Sequence, residues 1–223
     1  MKPYYEEAGI VIYHGDCREV LPTLPKVDLV LTDPPYGIGR DGKLKSTSSH
    51  GGHKGYDFMG WDASAPSPET FGLVLGAATD FVIWGANYFS PSMPPGPGWL
   101  LWDKGQRIDQ ADGELAASSR RGPLRIFTLN RAAIAVDGAC HPTQKPLALI
   151  RWCLSLFPNV RTVIDPYSGS GTTLLAAKQS NRRAIGIEIE ERYCEIAVNR
   201  LRQEVFQFEE PKAEPEQMGL EAL

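Results

Sequence analysis

The sequence predicts an α/β fold with a mostly parallel sheet covered by helices on both faces. Three observations lead there. Short apolar runs alternate with helix-length segments along most of the chain. The run Val27–Thr32 is apolar nearly throughout, as a strand buried on both faces is. A glycine-rich turn joins a strand to a helix at residues 162–173, a connection typical of parallel α/β units. In order, Gly9–His14 reads as a short strand and Val27–Thr32 as a buried one. Residues 39–57 are Gly, Ser, Lys and His with almost nothing apolar, which predicts a long loop able to act as a lid. Pro68–Thr79 reads as a helix and Asp80–Trp84 as a strand. Gly85–Gly98 is proline-rich and irregular, and Trp99–Trp102 is a strand. Gly105–Gly122 has no clear period, and Leu124–Leu129 is a strand. Pro146–Phe157 is a helix with proline in its first turn. Val160–Asp165, Thr172–Ser180, Ala184–Glu188 and Glu190–Phe206 then read as strand, helix, strand and long helix. No internal repeat is present.

The length of 223 residues allows one α/β domain with a substantial core. The expected catalytic domain is residues 1–206, followed by an acidic, disordered tail at 207–223. No apolar run is long enough to span a membrane, and the amino terminus lacks the apolar core of a signal peptide. Cys17, Cys140, Cys153 and Cys194 are scattered without CxxC spacing, which argues for a reducing cytosol and against zinc or a disulfide scaffold. The expected compartment is therefore the cytoplasm, and no metal is expected.

Charge is unevenly spread. Residues 204–223 carry six Glu and one Lys, a net of -5 against -4 for the whole chain, which leaves +1 for residues 1–203. Basic residues gather at Arg40, Lys43, Lys45 and Lys54, and again at Arg107, Arg120, Arg121, Arg125 and Arg131. Such groups are ordinary solvated surface or phosphate contacts.

Asp33-Pro34-Pro35-Tyr36 ends the Val27–Thr32 run. An acid, two prolines and an aromatic at a strand end can form a flat slot for a planar amine. The nitrogen of such an amine is a poor nucleophile because its lone pair is delocalised into the ring. A carboxylate and a backbone carbonyl that accept its two hydrogens favour the pyramidal, reactive form. Proline fixes φ and holds these carbonyls, and it keeps the preceding residue extended. On its own, the tetrapeptide is equally well an Asp-Pro turn closing a strand.

A second motif runs Asp165-Pro166-Tyr167-Ser168-Gly169-Ser170-Gly171-Thr172-Thr173. Gly169 and Gly171 permit a sharp turn and a close approach of backbone to ligand. Glu188 lies 19 residues beyond Gly169, near the spacing at which an acid grips a ribose. No lysine follows the glycines, so this is not a P-loop, and Leu174 replaces the third glycine of a dinucleotide fingerprint. A ligand with a ribose but no tightly held phosphate fits, and S-adenosylmethionine (SAM) is one. A third motif, His141-Pro142-Thr143-Gln144-Lys145-Pro146, precedes a helix and offers a cradle for a carboxylate.

These three motifs, in this order, resemble the amino-DNA methyltransferases, SAM-dependent enzymes that methylate exocyclic amines. The order resembles their β class, a circular permutation in which the catalytic turn precedes the SAM glycines. Gly186-Ile187-Glu188-Ile189-Glu190-Glu191-Arg192-Tyr193 fits the same pattern. The likeness runs from about Gly9 to Arg202. The short length and the Trp84-Gly85-Ala86-Asn87-Tyr88-Phe89 stretch resemble phage and prophage members.

The resemblance implies a Rossmann-like SAM methyltransferase fold. It implies that Asp33, Pro34, Pro35 and Tyr36 form the catalytic turn, with Tyr36 stacked on a flipped base. It implies SAM contacts from Asp165 to Thr173, ribose contacts from Glu188, and an adenine contact near Asp16 and Cys17. His141, Thr143 and Lys145 would lie near the methionine end, and Asp33 would also face the cofactor. The Asp at the first position favours adenine N6, with cytosine N4 as the alternative. The implied partner is double-stranded DNA, held by Arg40, Lys43, Lys45, Lys54, Arg107, Arg120 and Arg121; a homodimer stays open. Residues 104–139 are the short region available for target recognition. No Pro-Cys pair occurs, which argues against C5-cytosine methylation. Protein-glutamine methyltransferases use a similar Asn-Pro-Pro-Tyr slot but place the glycine loop first. A non-catalytic module that binds SAM or nucleic acid is the remaining alternative. If one ligand touches both main motifs, residues 10–36 and 160–188 have to share one edge of the sheet.

Overall fold

The computed structural model of the protein describes residues 1–39, 62, 64–105, 111–130 and 144–203. Nine strands among them form one sheet: β1 Tyr5–Glu7, β2 Ile10–His14, β3 Val27–Thr32, β4 Ala78–Trp84, β5 Gly98–Asp103, β6 Gly113–Ser118, β7 Arg125–Thr128, β8 Thr162–Asp165 and β9 Arg183–Glu188. Their spatial order is β1-β2-β9-β8-β3-β4-β6-β5-β7. The central run from β2 to β4 is parallel, with β1 and β6 antiparallel to their neighbours. Residues 10–36 and 160–188 therefore lie side by side, as one shared ligand requires.

Among the described residues five α-helices cover the sheet: α1 Cys17–Val20, α2 Pro68–Gly76, α3 Leu147–Ser155, α4 Thr172–Gln179 and α5 Glu191–Arg202. The period-2 geometry of strands sorts their side chains into two cores. Leu29, Leu31, Val82 and Trp84 join α3, α4 and α5 on one face. Val30, Ile83, Ile164 and Ile187 join α1 and α2 on the other. This two-sided burial explains why β3 reads as an uninterrupted apolar run rather than an alternating one.

Local signals set the ends of the elements. Ser67 caps α2 by accepting from the Thr70 N–H at 3.3 Å, and Pro68 fills its first turn. Helix α2 stops at Gly76 rather than Thr79, because β4 begins at Ala78 to pair with Val27. At the amino ends, Asp28 Oδ2 accepts from the N–H groups of Arg161 (2.8 Å) and Thr162 (2.9 Å), which locks β3 to β8.

Sequence reasoning misses β1, α1 and β6. β6 is Gly-Glu-Leu-Ala-Ala-Ser, with little β propensity. It forms because β4 and β5 pair with it on either side. The described part of 104–139 thus supplies two strands of the sheet, β6 and β7. The remainder, 106–110 and 131–139, lies outside the described residues, as do the expected tail at 207–223 and nearly all of the expected lid at 39–57. Among the described residues no helix is long and apolar enough to cross a membrane.

Candidate active site

The parallel strands β2, β9, β8, β3 and β4 all end on one edge of the sheet. β8 leads leftward to β9 through α4, and β3 leads rightward to β4 through α2. The chain direction reverses between them, and crevices at such switch points bind ligands in open α/β sheets. A cavity of about 490 Å³ opens there, a size suited to a small-molecule ligand. Its walls include Asp16, Asp33, Trp84, Lys145, Ser168 and Glu188.

The glycine loop makes one wall. Gly171 has φ +77° and caps α4 from the left-handed region, where a side chain would be strained. Gly169 has φ +50°, and a Cβ there would meet no atom within 4 Å, so its backbone is open to a ligand. Arg200 of α5 holds the loop from behind. Its Nη1 donates to the Ser170 carbonyl at 2.6 Å, to Ser170 Oγ at 3.0 Å and to Thr172 Oγ1 at 3.1 Å. Ser170 Oγ in turn donates to Gln144 Oε1 at 3.1 Å, which ties the third motif to the second.

Glu188 ends β9 beside this loop. Its Oε2 accepts from the Gly169 N–H at 2.8 Å and its Oε1 from the Glu190 N–H at 2.9 Å. Each oxygen keeps a second lone pair for a ligand hydroxyl. Burial pushes its carboxyl up to about 7, against the pull of those two N–H groups. Ser168 Oγ is buried, lines the cavity and has no hydrogen-bond partner among the described residues. Open backbone at Gly169, an acid with spare lone pairs and an orphaned hydroxyl fit a ribose-bearing cofactor such as SAM.

Asp165 is 4 % exposed and serves the loop rather than the cavity alone. Its Oδ1 accepts from Thr32 Oγ1 at 2.6 Å and from the Tyr167 N–H at 3.1 Å. Burial raises its carboxyl to about 6. Asp16 caps α1 by accepting from the Arg18 N–H at 2.8 Å and pairs with the Arg18 guanidinium, whose hydrogen bond holds the carboxyl below its usual range. Cys17 is buried beside it.

The catalytic turn makes the opposite wall. Asp33 Oδ1 accepts from Tyr36 Oη at 2.6 Å, and Oδ2 pairs with Lys145 Nζ. Lys145 Nζ also reaches Tyr36 Oη at 3.2 Å and Glu114 Oε2 at 3.0 Å. Glu114, at the start of β6, pairs through Oε1 with Lys104 at the end of β5. Burial raises the Asp33 carboxyl while Lys145 pulls it down, and the net shift is upward. Burial also works against the Lys145 ammonium, but Asp33 and Glu114 outweigh it and raise it well above the usual lysine value. Glu114 is drawn down to about 2, because Lys145 and Lys104 together outweigh its burial.

The structure refines several expectations. Lys145, expected at the methionine end, has its ammonium on Asp33 and Glu114. The Tyr36 ring stacks on Tyr88, with centroids 4.8 Å apart and planes 18° apart. It also packs on Gly85, whose φ of +71° and missing Cβ leave room for it; a side chain there would overlap the ring. Tyr36 therefore already has a stacking partner. Arg120 and Arg121 are not brought to the cavity. They follow β6, which runs antiparallel to β4 and so ends at the far edge of the sheet, where Ser118 pairs with Gly98 and Val82. Arg120 Nη1 donates there to the Leu156 carbonyl behind α3, at 2.9 Å. Arg40, Lys43, Lys45, Lys54, Arg107, His141 and Thr143 lie outside the described residues. Both flanks of residues 40–61 meet beside the turn: Asp62 Oδ1 accepts from the Gly37 N–H at 2.8 Å, and its carbonyl from the Gly39 N–H at 3.3 Å.

Sequence reasoning missed Lys104, Glu114 and Arg200 entirely. Lys104 and Glu114 are polar residues in a segment without period, and only the β5–β6 pairing brings them to Lys145. Among the described residues no group of three or more His, Cys, Asp or Glu could hold a metal ion.

Comparison with known proteins gives a consistent picture. The family model described as DNA methylase, for N6 and N4 methylation, matches residues 102–199. "Putative methylase YubD" of Escherichia coli strain K12 is 30% identical over 213 residues, covering 84% of this chain and 88% of its own. Type II methyltransferase M.ScaI of Streptomyces caespitosus is 27% identical over 274 residues, covering 91% and 84%. The crystal structure of the M1.HpyAVI–SAM complex superposes with a TM-score of 0.59 at 26% identity, covering 86% of this chain and 99% of that one. PvuII DNA methyltransferase, described as cytosine-N4-specific, shares the fold with a TM-score of 0.59 at 17% identity, covering 89% and 88%.

Proposed function

The chain belongs to the N6/N4 DNA methylase family, and on that premise we propose that this SAM-dependent DNA methyltransferase acts on adenine N6, with Asp33 at the reacting amine. The observation that carries the reading is that Asp33, the glycine loop and Glu188 line one cavity at the switch point of the sheet. The Asp at the head of the catalytic turn favours adenine over cytosine. The order of the motifs, with the turn on β3 before the glycine loop on β8, supports the β class, and the Trp84-Gly85-Ala86-Asn87-Tyr88-Phe89 stretch supports the phage and prophage type.

When bound, SAM supplies an electrophilic methyl group on a sulfonium. Glu188 would accept from the ribose hydroxyls and the backbone of Ser168 to Gly171 would help to hold the cofactor, with Asp165 and Thr173 supporting the loop. Gly15, Asp16 and Cys17, which line the same cavity, would hold its adenine end. The target base leaves the duplex to reach the cavity, because stacking and pairing hide its amine. Asp33 and the Pro34 carbonyl accept the two amine hydrogens as the nitrogen turns pyramidal. Positive charge grows on that nitrogen in the transition state, so a fixed carboxylate contributes more there than in the ground state. Tyr36 offers a ring for stacking once the base takes the place of Tyr88, and its hydroxyl steadies Asp33 meanwhile.

The basic run Arg40, Lys43, Lys45 and Lys54 follows the turn in sequence and is assigned to the phosphates of double-stranded DNA, with Arg107. Each such contact releases counterions, so affinity falls steeply with salt. Residues 1–206 act as one catalytic unit, with 39–57 as its lid, and a cytoplasmic location suits the reaction.

The test is to methylate unmethylated duplex DNA with labelled SAM, digest it to nucleosides and identify the labelled product. N6-methyladenine is the expected product. N4-methylcytosine would correct the base while keeping the mechanism, and 5-methylcytosine or no label would reject the reading.

A further inference from the structure

Behind the catalytic turn lies a chain of four alternating charges: Lys104, Glu114, Lys145 and Asp33. Both lysines are nearly sealed from solvent, Lys104 at 2 % exposure and Lys145 at 7 %. Ions removed from water are costly unless paired, and such pairs add little net stability compared with apolar replacements. Their presence beside the reacting group therefore calls for a chemical role. With all four ionised the charges sum to zero, and the loss of any single one leaves a net charge.

The Lys145 ammonium has two opposed effects. It keeps Asp33 ionised in a site that burial would otherwise make unfavourable for a carboxylate. It also places a positive charge next to a nitrogen that becomes cationic as the methyl arrives. Glu114 resolves the conflict. Its Oε2 lies 3.0 Å from Lys145 Nζ, on a rigid strand held between β4 and β5. Lys104 then anchors Glu114 from its other oxygen, and its own ammonium stands 4.9 Å from the centre of the Trp102 ring.

We propose that Glu114 is a positioning residue for methyl transfer: it holds Lys145 against Asp33 and cancels the lysine's charge at the reacting amine. The proposal rests on the amine-methylation reading and extends it to residues that touch no substrate. Among the described residues, the charged and titratable groups around Asp33 are Tyr36 on its own turn, Lys145 before α3, Glu114 on β6 with Lys104 behind it, and Asp165 at the end of β8. Removing Glu114 or removing Lys145 should therefore disturb Asp33 in opposite senses. A loss of packing would not.

The experiment measures kcat for DNA methylation against pH at saturating SAM and DNA, where the acid limb reports the enzyme–substrate complex. The wild type is compared with Glu114→Gln, Lys145→Met and Lys104→Met, each first checked for SAM binding by calorimetry. Without Glu114, the unopposed ammonium favours the Asp33 carboxylate, so the acid limb moves down by about one pH unit. At its plateau that variant is slower by about tenfold or more, because the ammonium now opposes the developing charge. Without Lys145 the limb moves up by about one pH unit, and without Lys104 it moves up by less. Limbs that move in the same direction in Glu114→Gln and Lys145→Met, or an unmoved limb in Glu114→Gln, overturn the proposal. Should Glu114→Gln fail to bind SAM, the two lysine variants decide, and an unmoved limb in both overturns it. A wild type that transfers no methyl to DNA at any pH removes the functional reading, and this proposal with it, which is a different result from any of these.

Discussion

Thr32 donates its hydroxyl to Asp165 Oδ1 across 2.6 Å, joining the strand that carries the catalytic turn to the strand that carries the glycine loop. The two residues are 133 positions apart in the chain and both are buried. Thr32 immediately precedes Asp33, so this bond sets one half of the site against the other. Thr32→Val keeps the shape and removes the donor. It leaves a buried carboxylate short of a partner, which costs about 1–3 kcal/mol. Urea unfolding should show stability lower by that amount, seen as a lower midpoint with an unchanged slope. Methyl transfer should fall more than SAM binding does, because the catalytic turn shifts relative to the loop.

Glu188 is expected to control cofactor affinity in a pH-dependent way. Only its carboxylate accepts from both ribose hydroxyls, and burial raises its carboxyl to about 7. SAM affinity should therefore rise with pH through about 7 and then level off. Glu188→Ala should weaken binding by on the order of 2 kcal/mol or more, since charged hydrogen bonds are worth about 1.5–3 each, and should flatten the profile. Calorimetry at pH 6 and pH 8 checks both points.

The same buried acids predict an unusual stability profile. Asp165 at about 6 and Glu188 at about 7 are both raised by burial, and Asp33 is raised in the same sense. Their folded values lie above the unfolded ones, so between about pH 4.5 and 7 the folded chain holds more protons than the unfolded chain. Stability must then fall as pH rises through that window and flatten above it. Glu114 at about 2, and the depressed Asp16 and Asp28, contribute above their unfolded values and lose that contribution only as pH falls below about 4. The cofactor-free protein should thus melt several degrees higher at pH 5.5 than at pH 8. A flat or rising melting curve over that range would contradict the burial of these carboxylates.

Much of this site is legible in the sequence, and the reason is local chemistry. Asp33 to Tyr36 and Asp165 to Thr173 are contiguous runs whose prolines and glycines specify backbone geometry, so they announce themselves. Glu188 is found because a parallel βαβ unit fixes its distance from the glycines. The charge array is not legible in this way. Lys104 and Glu114 meet Lys145 only through β6, an alanine-rich strand that exists because its neighbours pair with it. Arg200 is one of several cations on an amphipathic helix, and nothing local separates it from a solvated one. Arg120 and Arg121 illustrate the converse. Their clustering suggests a shared surface near the turn, but strand direction carries them to the opposite edge.

The most direct test of the account compares the wild type with Asp33→Ala for two quantities on the same preparations: single-turnover methyl transfer to duplex DNA and SAM affinity. Asp33 acts on the transition state, so its loss should slow transfer by on the order of 10²-fold or more. Glu188 and the glycine loop bind SAM from the other wall of the cavity, so SAM affinity should change by less than about threefold, under ~0.7 kcal/mol. Near-full transfer by Asp33→Ala would contradict the assignment of Asp33 to the reacting amine.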